Sequence, residues 1–260
     1  VMTDNRNWRG NTSIIVYGRR AVMEAIEEPG VGVEFVRVAR QAPGEFRSDL
    51  AERCRRHDIE LEKSDYAGVT KLSGDTRHDQ GVVARIQLNN VIELEDWTAT
   101  LHGKRAAQPT RLLAMDTITN PQNLGMIIRS AVAAGIDAIL WPRVGCPWVN
   151  GLVIKSSAAT VYKVPIVVCQ DLASAIGHLQ GVGFRVAGLE ADGGSDLFAH
   201  VPSHRAAYVI GSETTGISPA VNDLLDERLA IPMAEGVESL NAAVAAALVC
   251  FHAMRTPVSD

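Results

Sequence analysis

Leu112-Leu-Ala-Met115, followed by Asn120-Pro-Gln-Asn123-Leu-Gly125-Met-Ile-Ile-Arg129, is the stretch that decides the fold. A short, wholly apolar run gives way to a turn, and the turn opens a helix. Asn-Pro is a turn signal, Asn123 is placed to cap the helix, and Gly125 permits close backbone approach. An apolar run without polar alternation reads as a strand buried on both faces, as in a parallel sheet covered by helices. Arg129 falls about a turn and a half along the helix. Its fork suits a phosphate or a ribose oxygen, and it equally suits the surface of a capped structural helix.

The same alternation continues outward from Arg111. A helix over residues 123–135 is followed by a strand at 138–141, a helix at 151–159 and a strand at 164–168. A helix over 171–179, with Asp171 as its N-cap, precedes strands at 184–189, 206–210 and 229–231. Near-continuous apolar strands alternating with helices define an α/β class, a parallel sheet with helices on both faces. The last helix, over residues 241–255, is apolar nearly all round and needs burial on both sides, for which a subunit interface is a natural place.

Two more loops leave strand ends in this region. Gly211-Ser-Glu213-Thr-Thr-Gly216 follows Tyr208-Val-Ile210. It lacks the Lys-Ser/Thr of a P-loop and the G-x-G-x-x-G spacing of a dinucleotide fold. Its backbone suits an adenine or a ribose, with Glu213 as an orienting acceptor; taken alone, the loop reads more readily as an ordinary Gly-bounded turn with an exposed Glu. Ile231-Pro-Met233 ends a strand, and Ser239-Leu-Asn241 opens the terminal helix, where Ser239 is a natural N-cap. Three polar loops at one edge of a sheet suggest a ligand site.

Upstream, residues 14–88 form a compact α/β alternation. It has a helix over 18–28, a strand over 33–39, a helix over 48–57 with Ser48 as N-cap, and strands at 59–61 and 81–86. Residues 89–108 read as a connection with room for a short helix, and 109–260 as the larger domain.

The chain of 260 residues has a net charge of -5, with 47% hydrophobic and 21% charged residues. That is ordinary for a soluble globular protein and argues against one that coats nucleic acid non-specifically, DNA included. It leaves room for a localised basic face. Arginines cluster at Arg6, Arg9, Arg19 and Arg20, and again at Arg53, Arg55 and Arg56, the second group interleaved with Glu52, Asp58, Glu60 and Glu62. No apolar run is long enough for a membrane helix, and residues 1–9 lack the apolar core of a secretory signal, so a cytoplasmic location is expected. Cys54, Cys146, Cys169 and Cys250 are too dispersed for a zinc site or a disulfide framework; no metal is expected.

The three loops, in order N-x-G-x-x-x-R, G-x-E-x-x-G and I-P-M followed by S-L-N, resemble the SpoU (TrmH) family of RNA ribose 2'-O-methyltransferases of the knotted SPOUT class. The resemblance covers about residues 111–255. Val16-Tyr-Gly18-Arg-Arg-Ala-Val22-Met-Glu24-Ala and His78-Asp-Gln80-Gly81-Val-Val-Ala84 look like the small ribosomal-protein-like substrate-binding domain of bacterial 23S rRNA guanosine 2'-O-methyltransferases.

The resemblance implies S-adenosyl-L-methionine (SAM) as methyl donor, a C-terminal trefoil knot that departs from usual unknotted topology, and a homodimer whose interface includes the terminal helix. It implies a cofactor held by Ile210, Gly211, Ile231, Met233 and Leu240, and a catalytic set of Asn123, Arg129, Glu213, Ser239 and Asn241. Arg129 would fix the target phosphate and hydroxyl. The RNA, most simply 23S rRNA, would be gripped by Arg9, Arg19, Arg20, Arg55 and Arg56. Three alternatives remain open: a tRNA enzyme of the same family, a non-catalytic RNA-binding or ribosome-assembly protein with the same fold, and a small-molecule enzyme binding a nucleotide. One departure concerns Ala159-Thr160, where family members often carry Gly-Ala.

Overall fold

The computed structural model describes residues 13–191, 194–235 and 239–255. The chain divides into two compact units. One takes in Val1–Asn90 and Val149–Lys163, the other Val91–Trp148 and Val164–Asp260.

The first unit is built on a four-stranded sheet. Its elements are β1 (Ser13–Tyr17), α1 (Arg19–Glu27), β2 (Val31–Ala39), α2 (Gly44–Arg56), β3 (Glu60–Ser64), α3 (Tyr66–Ser73) and β4 (Val82–Leu88). The strand order is β1-β4-β2-β3, with β4 antiparallel to both neighbours and β3 parallel to β2. The expected helix at 48–57 begins earlier, at Gly44. Ser48 therefore lies inside α2, where its hydroxyl donates back to the Gly44 carbonyl over 3.0 Å instead of capping. Pairing of β1 with β4 brings together the two N-terminal sequence signatures. Gln80 Oε1 accepts from the Arg19 amide over 3.0 Å, and Gly18 N–H donates to the Val82 carbonyl.

The excursion Val149–Lys163 folds with this unit. It contains α6 (Gly151–Ser156), capped by Asn150, and a short 3-10 turn at Thr160–Tyr162. Asn90 donates to the Val161 carbonyl over 2.8 Å. Between helix and turn, Ala158 and Ala159 adopt φ values of 49° and 62°. The left-handed region costs an L-residue about 1 kcal/mol or more. The family's glycine is the unstrained choice at Ala159, so the departure seen in the sequence is a point of backbone strain.

The second unit holds an eight-stranded sheet, all of whose pairings are parallel. In chain order its elements are β5 (Val91–Glu93), α4 (Leu94–Ala99), β6 (Thr110–Met115), α5 (Pro121–Ala134), β7 (Ala138–Pro142), β8 (Ile166–Cys169), α7 (Leu172–Gly181), β9 (Arg185–Glu190), β10 (Ser195–Asp196), β11 (Arg205–Ile210), α8 (Pro219–Asn222), β12 (Glu227–Ala230) and α9 (Ala242–Ala253). Strand order is β10-β12-β9-β11-β6-β7-β8-β5. The stretch 89–108 is thus more than a connection. Its β5 extends the sheet beside β8, and its α4 buries Leu94 and Trp97 in the core.

Leu112 and Ala114 of β6, Leu140 of β7, Val186 of β9 and Val209 of β11 pack with Ile176 and Leu179 of α7. Their neighbours along the strands, Leu113, Met115, Ile139 and Trp141, point to the opposite face and are also fully buried. Burial on both faces is why these strands read as apolar runs without alternation.

The helix ends correct two sequence expectations. Asn120, not Asn123, caps α5, accepting from the Gln122 amide over 2.9 Å; Pro121 fills the first turn, and Gly135 closes the helix at φ 88°. Asn241, not Ser239, caps α9 by accepting from the Ala243 amide over 2.9 Å. Asp171 caps α7 as expected. Helices α5 and α9 pack on each other. The far end of α9 is tied to the sheet by buried Arg111, whose Nε donates to the Ala253 carbonyl over 3.1 Å.

Candidate cofactor site

The adjacent strands β12, β9 and β11 run parallel, so their carboxyl ends lie side by side. Open α/β sheets bind ligands outside such ends. A cavity of about 410 Å3 opens there, lined by Leu189 and Glu190 at the end of β9, by Ile210 to Ile217 after β11, by Ile231 and Met233 after β12, and by Ser239, Leu240, Ala242 and Ala245 at the start of α9. All five residues expected to hold a cofactor, Ile210, Gly211, Ile231, Met233 and Leu240, line it.

The loop after β11 is folded tightly on itself. Ser212 and Gly216 exchange backbone hydrogen bonds of 3.1 and 2.9 Å, and the Ser212 hydroxyl meets that of Thr215 at 2.8 Å. A Cβ on Gly211 would stand 2.2 Å from the Gly216 carbonyl carbon, so only glycine fits. Gly216 has φ 65°, again suited to glycine.

One oxygen of Glu213 joins all three sequence motifs. Glu213 Oε1 accepts from Asn241 Nδ2 over 2.9 Å, from the Ala242 amide over 3.3 Å, and from Asn123 Nδ2. Asn241 Nδ2 also reaches Asn123 Oδ1 at 3.3 Å. Asn123 is buried in α5, and the carboxylate sits where the positive end of the α9 dipole favours an anion. The expected role of Glu213 as an acceptor for adenine or ribose is therefore corrected for this oxygen. It fastens the second loop to α5 and α9.

Arg129 stands apart from this cluster. It is exposed on α5 and is not among the cavity's lining residues, and its side chain forms no hydrogen bond or ion pair with another described residue. Ser239 is exposed at the cavity rim.

The basic residues of the first unit divide. Arg19 lays its guanidinium 5.2 Å from the centre of the Phe46 ring. Arg20 pairs with Glu24 at 2.8 Å, Arg53 with Glu27 and Asp49, and Arg56 with Glu52 at 3.4 Å. Glu27, Asp49 and Glu52 thus neutralise much of the second arginine cluster, while Arg55 is exposed. Arg9 lies outside the described residues. No group of three or more potential metal ligands occurs among the described residues.

Sequence reasoning missed Leu189, Glu190 and Asn222, which also line the cavity. The legible signal was the carboxyl end of β9; what was missing was the knowledge that β9 lies between β12 and β11.

Residues 110–251 match the model of the SpoU rRNA methylase family, and residues 15–91 match that of the RNA 2'-O ribose methyltransferase substrate-binding domain. The chain belongs to the SpoU rRNA methylase family. It is 31% identical over 243 residues to the 23S rRNA (guanosine-2'-O-)-methyltransferase RlmB of Xylella fastidiosa, covering 92% of this chain and 95% of that protein. In fold it is similar to the SpoU methyltransferase AviRb from Streptomyces viridochromogenes, solved in complex with AdoMet, with a TM-score of 0.77, 23% identity, and coverage of 97% and 93%. A second fold neighbour is the AdoMet-bound rRNA methyltransferase from Sinorhizobium meliloti, with a TM-score of 0.74, 20% identity, and coverage of 94% and 87%.

Proposed function

We propose that this protein is a SAM-dependent RNA 2'-O-ribose methyltransferase acting on 23S rRNA in the cytoplasm. The observation that carries the reading is that the second and third sequence motifs line one cavity and the first is fastened to them through Glu213 Oε1. The relationship to RlmB over nearly the whole chain supports 23S rRNA as the substrate. The match of residues 15–91 to a substrate-binding domain favours it over a minimal tRNA enzyme.

The cavity suits SAM. Its volume falls in the range of small-molecule sites, and it combines an apolar lining with a few polar groups. Ile210, Gly211, Ile231, Met233 and Leu240 would hold the cofactor, largely by backbone. When bound, SAM supplies a methyl group on a sulfonium, whose departure needs no acid.

The remaining tasks fall to the chain. A ribose 2'-OH is a weak nucleophile and must be oriented and relieved of its proton. A guanidinium has N–H donors and no acceptor, so Arg129 acts as a donor. It fixes the phosphate and hydroxyl of the target nucleotide, and proton loss is aided by the RNA phosphate or a neighbouring group. Ser239, at the cavity rim, would touch the same nucleotide. Recognition of a 2'-OH also separates RNA from DNA. Residues 14–88 would grip the RNA through Arg19, Arg20, Arg55 and Arg56, joined by Arg9 from the preceding segment.

We also read the C-terminal region as a trefoil knot and the protein as a homodimer. The family supports the knot. The dimer is supported by α9, which leaves Val244, Phe251 and Met254 exposed along one face, an apolar stripe of the kind that marks an interaction surface.

Incorporation of methyl label from SAM into bulk 23S rRNA, mapped to a ribose 2'-oxygen, tests the function. RNA binding without incorporation into any RNA would leave the non-catalytic reading instead.

A further inference from the structure

One wall of the cavity differs from the rest. Glu190, the last residue of β9, and Asn222, the last of α8, are its polar side chains, and Arg228 of β12 touches both. Arg228 Nε donates to Asn222 Oδ1 over 2.9 Å, and a second guanidinium nitrogen donates to the Asn222 carbonyl over 2.8 Å. The same Nε lies 3.7 Å from Glu190 Oε1, an ion pair longer than a hydrogen bond. The other carboxylate of the lining, Glu213, has one oxygen committed to three donors. Glu190 is thus a cavity carboxylate with acceptor positions to spare, held in place by a neighbouring cation.

We infer that Glu190 selects the cofactor by its ribose, accepting hydrogen bonds from the 2'- and 3'-hydroxyls, with Arg228 and Asn222 as positioning residues. The inference rests on the reading of this cavity as a SAM site. Two features choose the diol among the cofactor's donors. Arg228 stands beside the carboxylate, so the cofactor's ammonium or sulfonium would meet a like charge there, whereas a neutral diol meets none. The adenine is matched by the apolar lining of Leu189, Ile210, Ile217, Ile231, Leu240 and Ala245. A carboxylate at the carboxyl end of a parallel strand is also a geometry by which α/β folds take ribose hydroxyls.

Calorimetric titration of the full chain with S-adenosylhomocysteine and its 2',3'-dideoxy analogue tests this without turnover. The wild type is expected to prefer the diol by about tenfold or more, the effect of hydrogen bonds to a charged acceptor. Glu190→Ala should bind the two ligands within about threefold of each other and bind the dideoxy analogue as the wild type does. Glu190→Gln, of the same size, should lose most of the preference and decides the matter if the alanine protein does not fold. Retention of the full preference in the variants overturns the inference. So does a preference lost only against S-inosylhomocysteine, which would assign Glu190 to the base. Wild type that binds S-adenosylhomocysteine with no preference for the diol overturns this inference alone. Wild type that binds neither ligand overturns the cofactor reading itself.

Discussion

Asn241 Nδ2 donates to Glu213 Oε1 over 2.9 Å, linking the residue that caps α9 to the centre of the loop after β11. The same oxygen accepts from Asn123 on α5. Three segments far apart in sequence therefore keep their relative positions through one carboxylate. Glu213→Ala removes that acceptor and leaves Nδ2 of the buried Asn123 without it. The expected result is a roughly tenfold weaker affinity for S-adenosylhomocysteine by calorimetry. The accompanying loss of stability should be small, about 1 kcal/mol, because the carboxylate is partly in water. Unchanged affinity would show that the loop holds its shape without the carboxylate.

Arg129 makes the opposite prediction. Its exposed side chain has no described partner in the protein and does not line the cavity. Arg129→Ala should leave cofactor affinity as it is and lower methyl transfer to 23S rRNA about a hundredfold or more, the cost of removing a preorganised donor. Undiminished turnover would remove Arg129 from the mechanism.

The exposed face of α9 predicts an assembly state. Phe251 is 56% exposed and Val244 50%, on a helix with no charged residue within its length. Phe251→Asp places a charge on that face, where burial in an apolar interface is costly. Sedimentation velocity should show a dimer for the wild type and a monomer for the variant; a wild-type monomer would refute the interface.

Ala159 predicts a gain. Its φ of 62° is one that glycine adopts without steric cost. Ala159→Gly should raise unfolding stability by up to about 1 kcal/mol in urea titration, the relief of left-handed strain reduced by the greater freedom of glycine in the unfolded chain. A loss of stability would mean that the buried methyl contributes more than the strain costs.

His200 predicts an acid limb. Burial pushes its pKa below the ordinary histidine value; the Glu227 carboxylate opposes this, and the neighbouring His252 and Arg111 add to it. Its Nδ1 lies 3.1 Å from Glu227 and its Nε2 3.3 Å from the Tyr208 hydroxyl. Below about pH 6.5 the unfolded chain takes up this proton before the folded one does, so stability falls as pH drops toward the folded pKa. The melting temperature should decline on acidification from pH 7, and His200→Gln should flatten that part of the profile. An unchanged profile would assign the acid limb to other groups.

Much of this was legible along the chain. Leu112-Leu-Ala-Met115 and Tyr208-Val-Ile210 announced buried parallel strands because burial on both faces leaves no room for polar alternation. The motifs around Asn123, Glu213 and Asn241 announced the site because glycines and caps are demanded by local backbone geometry. Where several residues competed for one local role, the sequence misled. Asn120 and Asn123 are both good caps, as are Ser239 and Asn241, and the choice fell to where each helix begins in the packed fold. Asn123 lies inside α5 and turns its amide to Glu213, whereas Asn241 caps α9 through Oδ1 and reaches Glu213 through Nδ2.

The sequence by itself determined the class of fold, the family, and the residues from which the cofactor loops are made, since periodicity, turn chemistry and motif spacing are properties of neighbouring residues. Only the tertiary structure decided that β12, β9 and β11 lie side by side, and so that Glu190 and Asn222 share a cavity wall. It also decided that Glu213 is bonded to two asparagines while Arg129 stands apart from them, and that the stretch after Asn90 adds an edge strand to the sheet. Strand order and the meeting of distant side chains are set by how the whole core packs, and no local pattern encodes them.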